Sequence, residues 1–74
     1  MVNLEYYRIF YEVARAGSIT AAAEKLCISQ PAVSQTIRQL EEGLGSPLFV
    51  RASKGVRLRA EGEVLFSYVE KGIG

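Results

Sequence analysis

The sequence predicts a mainly α-helical fold: a tight helix-turn-helix completed by a further core helix and a two-stranded β-hairpin. Three observations predict it. Ser18 to Leu44 reads as two helices joined only by Cys27-Ile28-Ser29, the connection length of a helix-turn-helix. Phe49 to Leu58 alternates as two short strands around a glycine-bearing loop. Between Ser46 and Arg59 stand Arg51, Lys54, Arg57 and Arg59 with no acid, so the positive charge is gathered beside the second helix of the pair.

That second helix, Gln30 to Leu44, is where function is expected. At 100° per residue, Val33, Ile37, Leu40 and Leu44 fall on one narrow apolar seam. Pro31, Gln35 and Arg38 point away from the seam, Ser34 lies on their flank, and the outer face lacks acid until Glu42. Such groups can donate to and accept from base edges. Ser29 is placed to N-cap the helix, Pro31 falls in its first turn where a missing N–H costs little, and Gly45 suits a left-handed C-cap. The preceding helix runs from its own N-cap, Ser18, through Ile19 to Leu26. Ala21, Ala22 and Ala23 are small enough to let the two helices approach closely. A generic helical hairpin in a small bundle would share these features.

With 74 residues the chain makes one domain that buries about 60% of its unfolded surface, a thin core. No apolar run approaches ~18 residues, and no basic-then-apolar leader opens the chain, so neither membrane nor export is expected. The absence of histidine, of a cysteine pair and of a glycine-rich phosphate loop argues against catalysis, a metal or a cofactor. Cys27, beside Ile28, reads as a small core residue. The net charge is +1, a patch rather than a basic protein.

In chain order, Leu4 to Ala16 is a helix whose charges Glu5, Arg8, Glu12 and Arg15 form one stripe able to pair along the helix. Its apolar arc spans roughly 220°, where one-sided packing needs about 100°. The expectation is a core on one side and a second subunit on the other. After Gly45, Ser46-Pro47 turns the chain and Leu48-Phe49 returns it to the core. Phe49-Val50-Arg51 and Val56-Arg57-Leu58 then read as strands around Ala52 to Gly55, with Val56 and Leu58 on one face and Arg57 on the other. A basic hairpin after a helix-turn-helix is a wing, with Arg51 and Lys54 beside a duplex backbone or in a minor groove. A last helix begins near Ala60 and reaches at least Lys71, and its apolar residues again spread too widely for one-sided packing.

Over its whole length the chain resembles the N-terminal DNA-binding region of LysR-type transcriptional regulators. The likeness runs through Leu4, Phe10 and Val13-Ala14, Gly17-Ser18-Ile19-Thr20, Ala22-Ala23, Leu26 and Ser29 to Ser34. It continues in Ile37, Leu40-Glu41, Leu44-Gly45, Pro47-Leu48-Phe49, Arg51, Val56 to Leu58 and Gly62. The resemblance implies a winged helix-turn-helix over residues 1–59, with the helix-turn-helix at about 19–38. Residues 60–74 would begin a linker helix that pairs with its counterpart in a dimer. It implies that Gln30, Pro31, Ser34 and Gln35 face bases, that Thr20, Ser29 and Arg38 face the backbone, and that Arg51 is the wing arginine. Tyr6, Tyr7, Leu65, Tyr68 and Val69 are the residues expected at the dimer contact.

The implied partner is double-stranded DNA bearing an interrupted palindromic operator, read by a cytoplasmic, nucleoid-associated homodimer. Many relatives carry arginine where Gln35 stands, and threonine where Arg59 stands. Arginine cannot cap the linker helix and opposes its dipole, so phosphate is the expected partner of Arg59. The family's effector-binding domain lies outside these 74 residues, so no small-molecule effector is expected on them. A winged helix kept only for protein association is the alternative, and a dimer without DNA affinity would favour it.

Overall fold

A computed structural model describes residues 4–73. Its elements follow in the order α1 (Leu4–Ala16), α2 (Ile19–Leu26), α3 (Gln30–Leu44), β1 (Phe49–Ala52), β2 (Gly55–Leu58) and α4 (Ala60–Ile73). Local chemistry sets the ends of the middle helices as expected. The Ser18 hydroxyl accepts from the Ala21 N–H at 3.1 Å and the Ser29 hydroxyl from the Ala32 N–H at 3.2 Å. Gly45 ends α3 at φ +74°, its N–H donating to the carbonyls of Glu41 and Glu42.

The core is built around α1, which packs against α2, α3 and α4 and touches β2. Ile9, Phe10 and Val13 of α1 are buried with Ala22 and Ala23 of α2, Val33, Ile37 and Leu40 of α3, Leu48, and Val69 of α4. Phe10 and Phe49 meet at a ring separation of 5.4 Å, and Tyr11 stacks on Phe66 at 5.2 Å. The wide apolar arc of α1 is therefore covered by its own domain on more than one side. Its own domain surrounds most of the helix, and Leu4, at 78% exposure, and the half-buried Tyr7 are what remain for another molecule. The charged stripe also works outward: Glu12 pairs with Lys25 of α2 at 3.0 Å, and Arg15 donates to the Tyr11 hydroxyl at 3.3 Å.

Three further expectations are corrected. Cys27 is exposed, because it is the left-handed cap that ends α2 at φ +60° and its backbone N–H, not its thiol, does the work. Ala21 faces solvent, and only Ala22 and Ala23 serve the close helix contact. Leu44 is 48% exposed, since α3 runs one turn beyond the core that its seam covers.

The hairpin is antiparallel, with Phe49 opposite Leu58, Val50 opposite Arg57, Arg51 opposite Val56 and Ala52 opposite Gly55. Each strand is one residue longer than its sequence pattern suggests, leaving Ser53-Lys54 as the turn. The Val56 N–H donates to the Gly17 carbonyl at 3.0 Å, which pins the turn end of the hairpin to the α1–α2 corner. The Arg59 N–H donates to the Leu48 carbonyl at 2.8 Å and ties the start of α4 to the start of β1.

Candidate nucleic-acid interface

The outer face of α3 follows from its seam. Burying Val33, Ile37 and Leu40 turns the opposite side of the helix outward, so Gln30, Pro31, Gln35 and Arg38 are exposed and Ser34 is half-buried. Ser29 caps this end, and the Thr36 hydroxyl is occupied by the Ala32 carbonyl at 2.9 Å. The first turn also presents the positive end of the helix dipole, where an anion is stabilised. Thr20 is exposed on the first turn of α2.

The register of the hairpin decides what the wing offers. Directly opposed residues share a face, so Arg51 goes with Val56, Phe49 and Leu58, while Arg57 goes with Val50 on the reverse side. Arg51 accordingly opens onto the space beside α3. Together with Ser34, Arg38 and Glu41 it lines an open cleft of about 260 Å³ between α3 and the wing. Lys54 is exposed at the turn. Among the described residues Gln30, Gln35, Arg38, Arg51 and Lys54 have no side-chain hydrogen bond or ion pair, so their donors are unspent. Arg59 differs: its guanidinium lies 3.7 Å from Glu61, which answers the unfavourable cation at the start of α4. The pKa of Arg15 on α1 is raised, chiefly by its hydrogen bond to Tyr11, so that side chain stays a cation.

A second surface lies between α1 and α4. Leu4, Tyr7, Arg8, Leu65, Tyr68, Val69 and Gly72 line a groove of about 460 Å³. Tyr68 is 72% exposed on α4, and Val64, one turn before it, is 59% exposed. Two of the residues expected at a dimer contact also have partners within the domain. The Tyr6 hydroxyl donates to Gln39 Oε1 of α3 at 2.7 Å, and Val69, at 8% exposure, is chiefly core although its edge reaches the groove.

Glu41 is the residue that sequence reasoning missed. Its Oε2 accepts from the N–H groups of Leu48 and Phe49 at 2.8 and 3.4 Å. The available signal was an acid near a helix C-terminus, where it opposes the dipole and so calls for a compensating partner.

The model of the family described as "Bacterial regulatory helix-turn-helix protein, lysR family" matches residues 4–63. The HTH-type transcriptional regulator BudR of Klebsiella aerogenes is 48% identical over 65 residues, covering 88% of this chain and 46% of that regulator. The RuBisCO operon transcriptional regulator of Allochromatium vinosum is 49% identical over 67 residues, covering 90% of this chain and 22% of its own length. The chain thus spans less than half the length of these curated relatives. Among solved structures, the BenM DNA-binding domain in complex with catB site 1 DNA matches at a TM-score of 0.93 and 40% identity, covering 97% of this chain and 81% of that one. The CbnR DNA-binding domain in its DNA complex matches at 0.91 and 30%, covering 97% and 83%. An exposed polar helix face beside a basic wing, on a fold shared with DNA-bound domains, leads to one conclusion: the chain belongs to the LysR family of bacterial regulatory helix-turn-helix proteins, as a winged helix-turn-helix DNA-binding domain.

Proposed function

We propose that this domain reads a specific duplex sequence for a transcription regulator, with the first half of α3 in the major groove and the wing on the adjoining backbone or minor groove. The observation that carries this is the unspent polar face of α3 opening onto the cleft that Arg51 and Arg38 share. A helix is about 10–12 Å across with its side chains, and the major groove is about 12 Å wide. Gln30, Pro31, Ser34 and Gln35 stand at the leading end, where Gln35 can pair with adenine N6 and N7 and Pro31 can touch a thymine methyl. Thr20, Ser29, Arg38, Arg51 and Lys54 supply backbone contacts, which hold register and give affinity without choosing sequence.

The domain acts as a homodimer through α4 and the rim of α1, with Tyr7, Leu65 and Tyr68 at the contact and Tyr6 and Val69 behind it. Its operator is an interrupted palindrome whose half-sites lie about 34 Å apart or a multiple of that. It works in the cytoplasm on the nucleoid, and it neither catalyses a reaction nor needs a cofactor to bind.

The deciding experiment is selection from a random duplex pool, followed by binding measurements over a salt series. Convergence on a two-fold symmetric site, with affinity falling steeply as salt rises, is the expected result. Absence of binding at low salt by a dimeric protein would overturn it and favour a module for protein association. Gln35→Ala is expected to relax preference at one position of each half-site at a cost of about 1–3 kcal/mol. Unchanged relative affinities across all site variants would remove Gln35 from the reading set. Arg51→Ala or Lys54→Ala is expected to weaken every sequence alike and lower the salt slope by about one per half-site. An unaltered slope would take the wing out of the interface.

A further inference from the structure

We propose that Glu41 is a positioning residue for DNA reading, holding the wing and the root of α4 in a fixed place relative to the recognition helix. The proposal rests on the duplex-reading function argued above and adds to it the joint that aligns its two parts. Both bonds of Glu41 go to backbone N–H groups at the entry to β1, those of Leu48 and Phe49. The carbonyl of the same Leu48 accepts from the Arg59 N–H at the exit of β2, one residue before α4. One short stretch of backbone is therefore bonded to α3 on one side and to the base of α4 on the other, with the Leu48 side chain 1% exposed beneath it.

Charge makes the arrangement informative. A carboxylate in the last turns of a helix opposes the dipole, and a carboxylate beside a DNA-binding cleft repels phosphate. Glu41 sits in both places, lining the cleft with Arg38 and Arg51. Two N–H donors stabilise its carboxylate, the shorter at 2.8 Å, and such bonds are directional. Glu42, its neighbour, is exposed, and its side chain has no partner among the described residues. The two acids differ in their bonds and hardly in their charge, so they separate positioning from electrostatics.

The test uses the 74-residue chain and the duplex recovered by selection, with amide hydrogen exchange of the free protein in parallel. If charge alone mattered, removing either acid would strengthen binding. Glu42→Ala is expected to leave affinity unchanged or raise it a few-fold. Glu41→Ala is expected to lower it about tenfold and to reduce the salt slope as Arg51→Ala does. Glu41→Gln, which keeps a carbonyl acceptor, should recover most of that loss. In the free protein, Glu41→Ala should speed exchange at Leu48 and Arg59 while Val13 and Ile37 stay protected. Equal effects of Glu41→Ala and Glu42→Ala on binding would overturn the role of Glu41, as would exchange accelerating uniformly across the fold. A wild-type chain that binds no duplex would instead overturn the duplex-reading function, and the positioning role with it.

Discussion

Gly62→Ala is expected to cost about 3 kcal/mol or more, through overpacking at a place that cannot yield. A Cβ at this position would stand 2.3 Å from the Leu48 carbonyl oxygen and 2.8 Å from Leu58 Cδ2. The leucine methyl can swing aside. The carbonyl cannot, because it already holds the Arg59 N–H and the N–H of its own peptide group, that of Phe49, is held by Glu41. The first turn of α4 would have to lift from β1, taking with it the seat of Val69 in the core. A domain of this length has only about 5–10 kcal/mol of stability in total, so the variant should unfold at a markedly lower urea concentration.

Gly55→Ala is expected to behave in the same way at the other end of the hairpin. Its φ is +149° and the Gly17 carbonyl oxygen would lie 2.1 Å from the added carbon. Gly43→Ala supplies the contrast. That residue is within α3 with nothing inside 4 Å of the added methyl, so it should gain about 0.5–1 kcal/mol from helix propensity. Urea unfolding followed by circular dichroism measures all three. A Gly62→Ala midpoint equal to wild type would mean that α4 does not seat on Leu48.

Tyr68→Glu is expected to abolish dimerisation and to lower affinity for a two-half-site duplex about 100-fold, while affinity for a single half-site stays unchanged. Two linked readers gain from effective concentration, by a factor on the order of 10² or more, and a monomer forfeits that gain. Tyr68 is 72% exposed and lies on the rim of an apolar groove, so a carboxylate there would cost the domain itself less than about 0.5 kcal/mol. In an interface the same carboxylate would be buried without a partner, which is costly. Sedimentation of the free protein reads the first effect and anisotropy on full and half sites reads the second. A Tyr68→Glu protein that still sediments as a dimer would place the contact elsewhere.

What could be read in the sequence was whatever local periodicity and local capping express. The seam Val33, Ile37, Leu40 belongs to a helix of period 3.6, and Ser18, Ser29 and Gly45 mark ends through bonds to residues three or four positions away. The wing was legible for the same reason, since alternation over Val56 to Leu58 needs no knowledge of the rest of the chain. The positions proposed to face DNA lie on such elements or on their cap and turn, and once the seam of α3 is known its outward face follows from geometry.

The misreadings share one cause: they concern which surface meets which. The 220° arc of α1 showed correctly that the helix is covered on several sides, but not by what, and the covering is α2, α3 and α4 of the same domain. Cys27 looked like core because thiols usually are, whereas a left-handed cap at the corner of two helices turns it outward. For Tyr6 and Val69 the sequence shows the apolar surface but not the partners that each has within the domain, Gln39 of α3 and the core.

By itself, then, the sequence determined the elements, their ends, the polar face of α3 and the basic hairpin beside it, because each is encoded within one or two helical turns or one strand pair. Only the tertiary structure decided that Arg51 opens onto a cleft shared with Ser34, Arg38 and Glu41 of α3, since one residue of hairpin register exchanges the two faces. Only it decided that Glu41 is a joint and that Gly62 admits no methyl, since both depend on the peptide groups around Leu48, seven and fourteen residues away along the chain. Chain connectivity sets what neighbours can do in sequence. Close packing sets what distant residues must do to share one core.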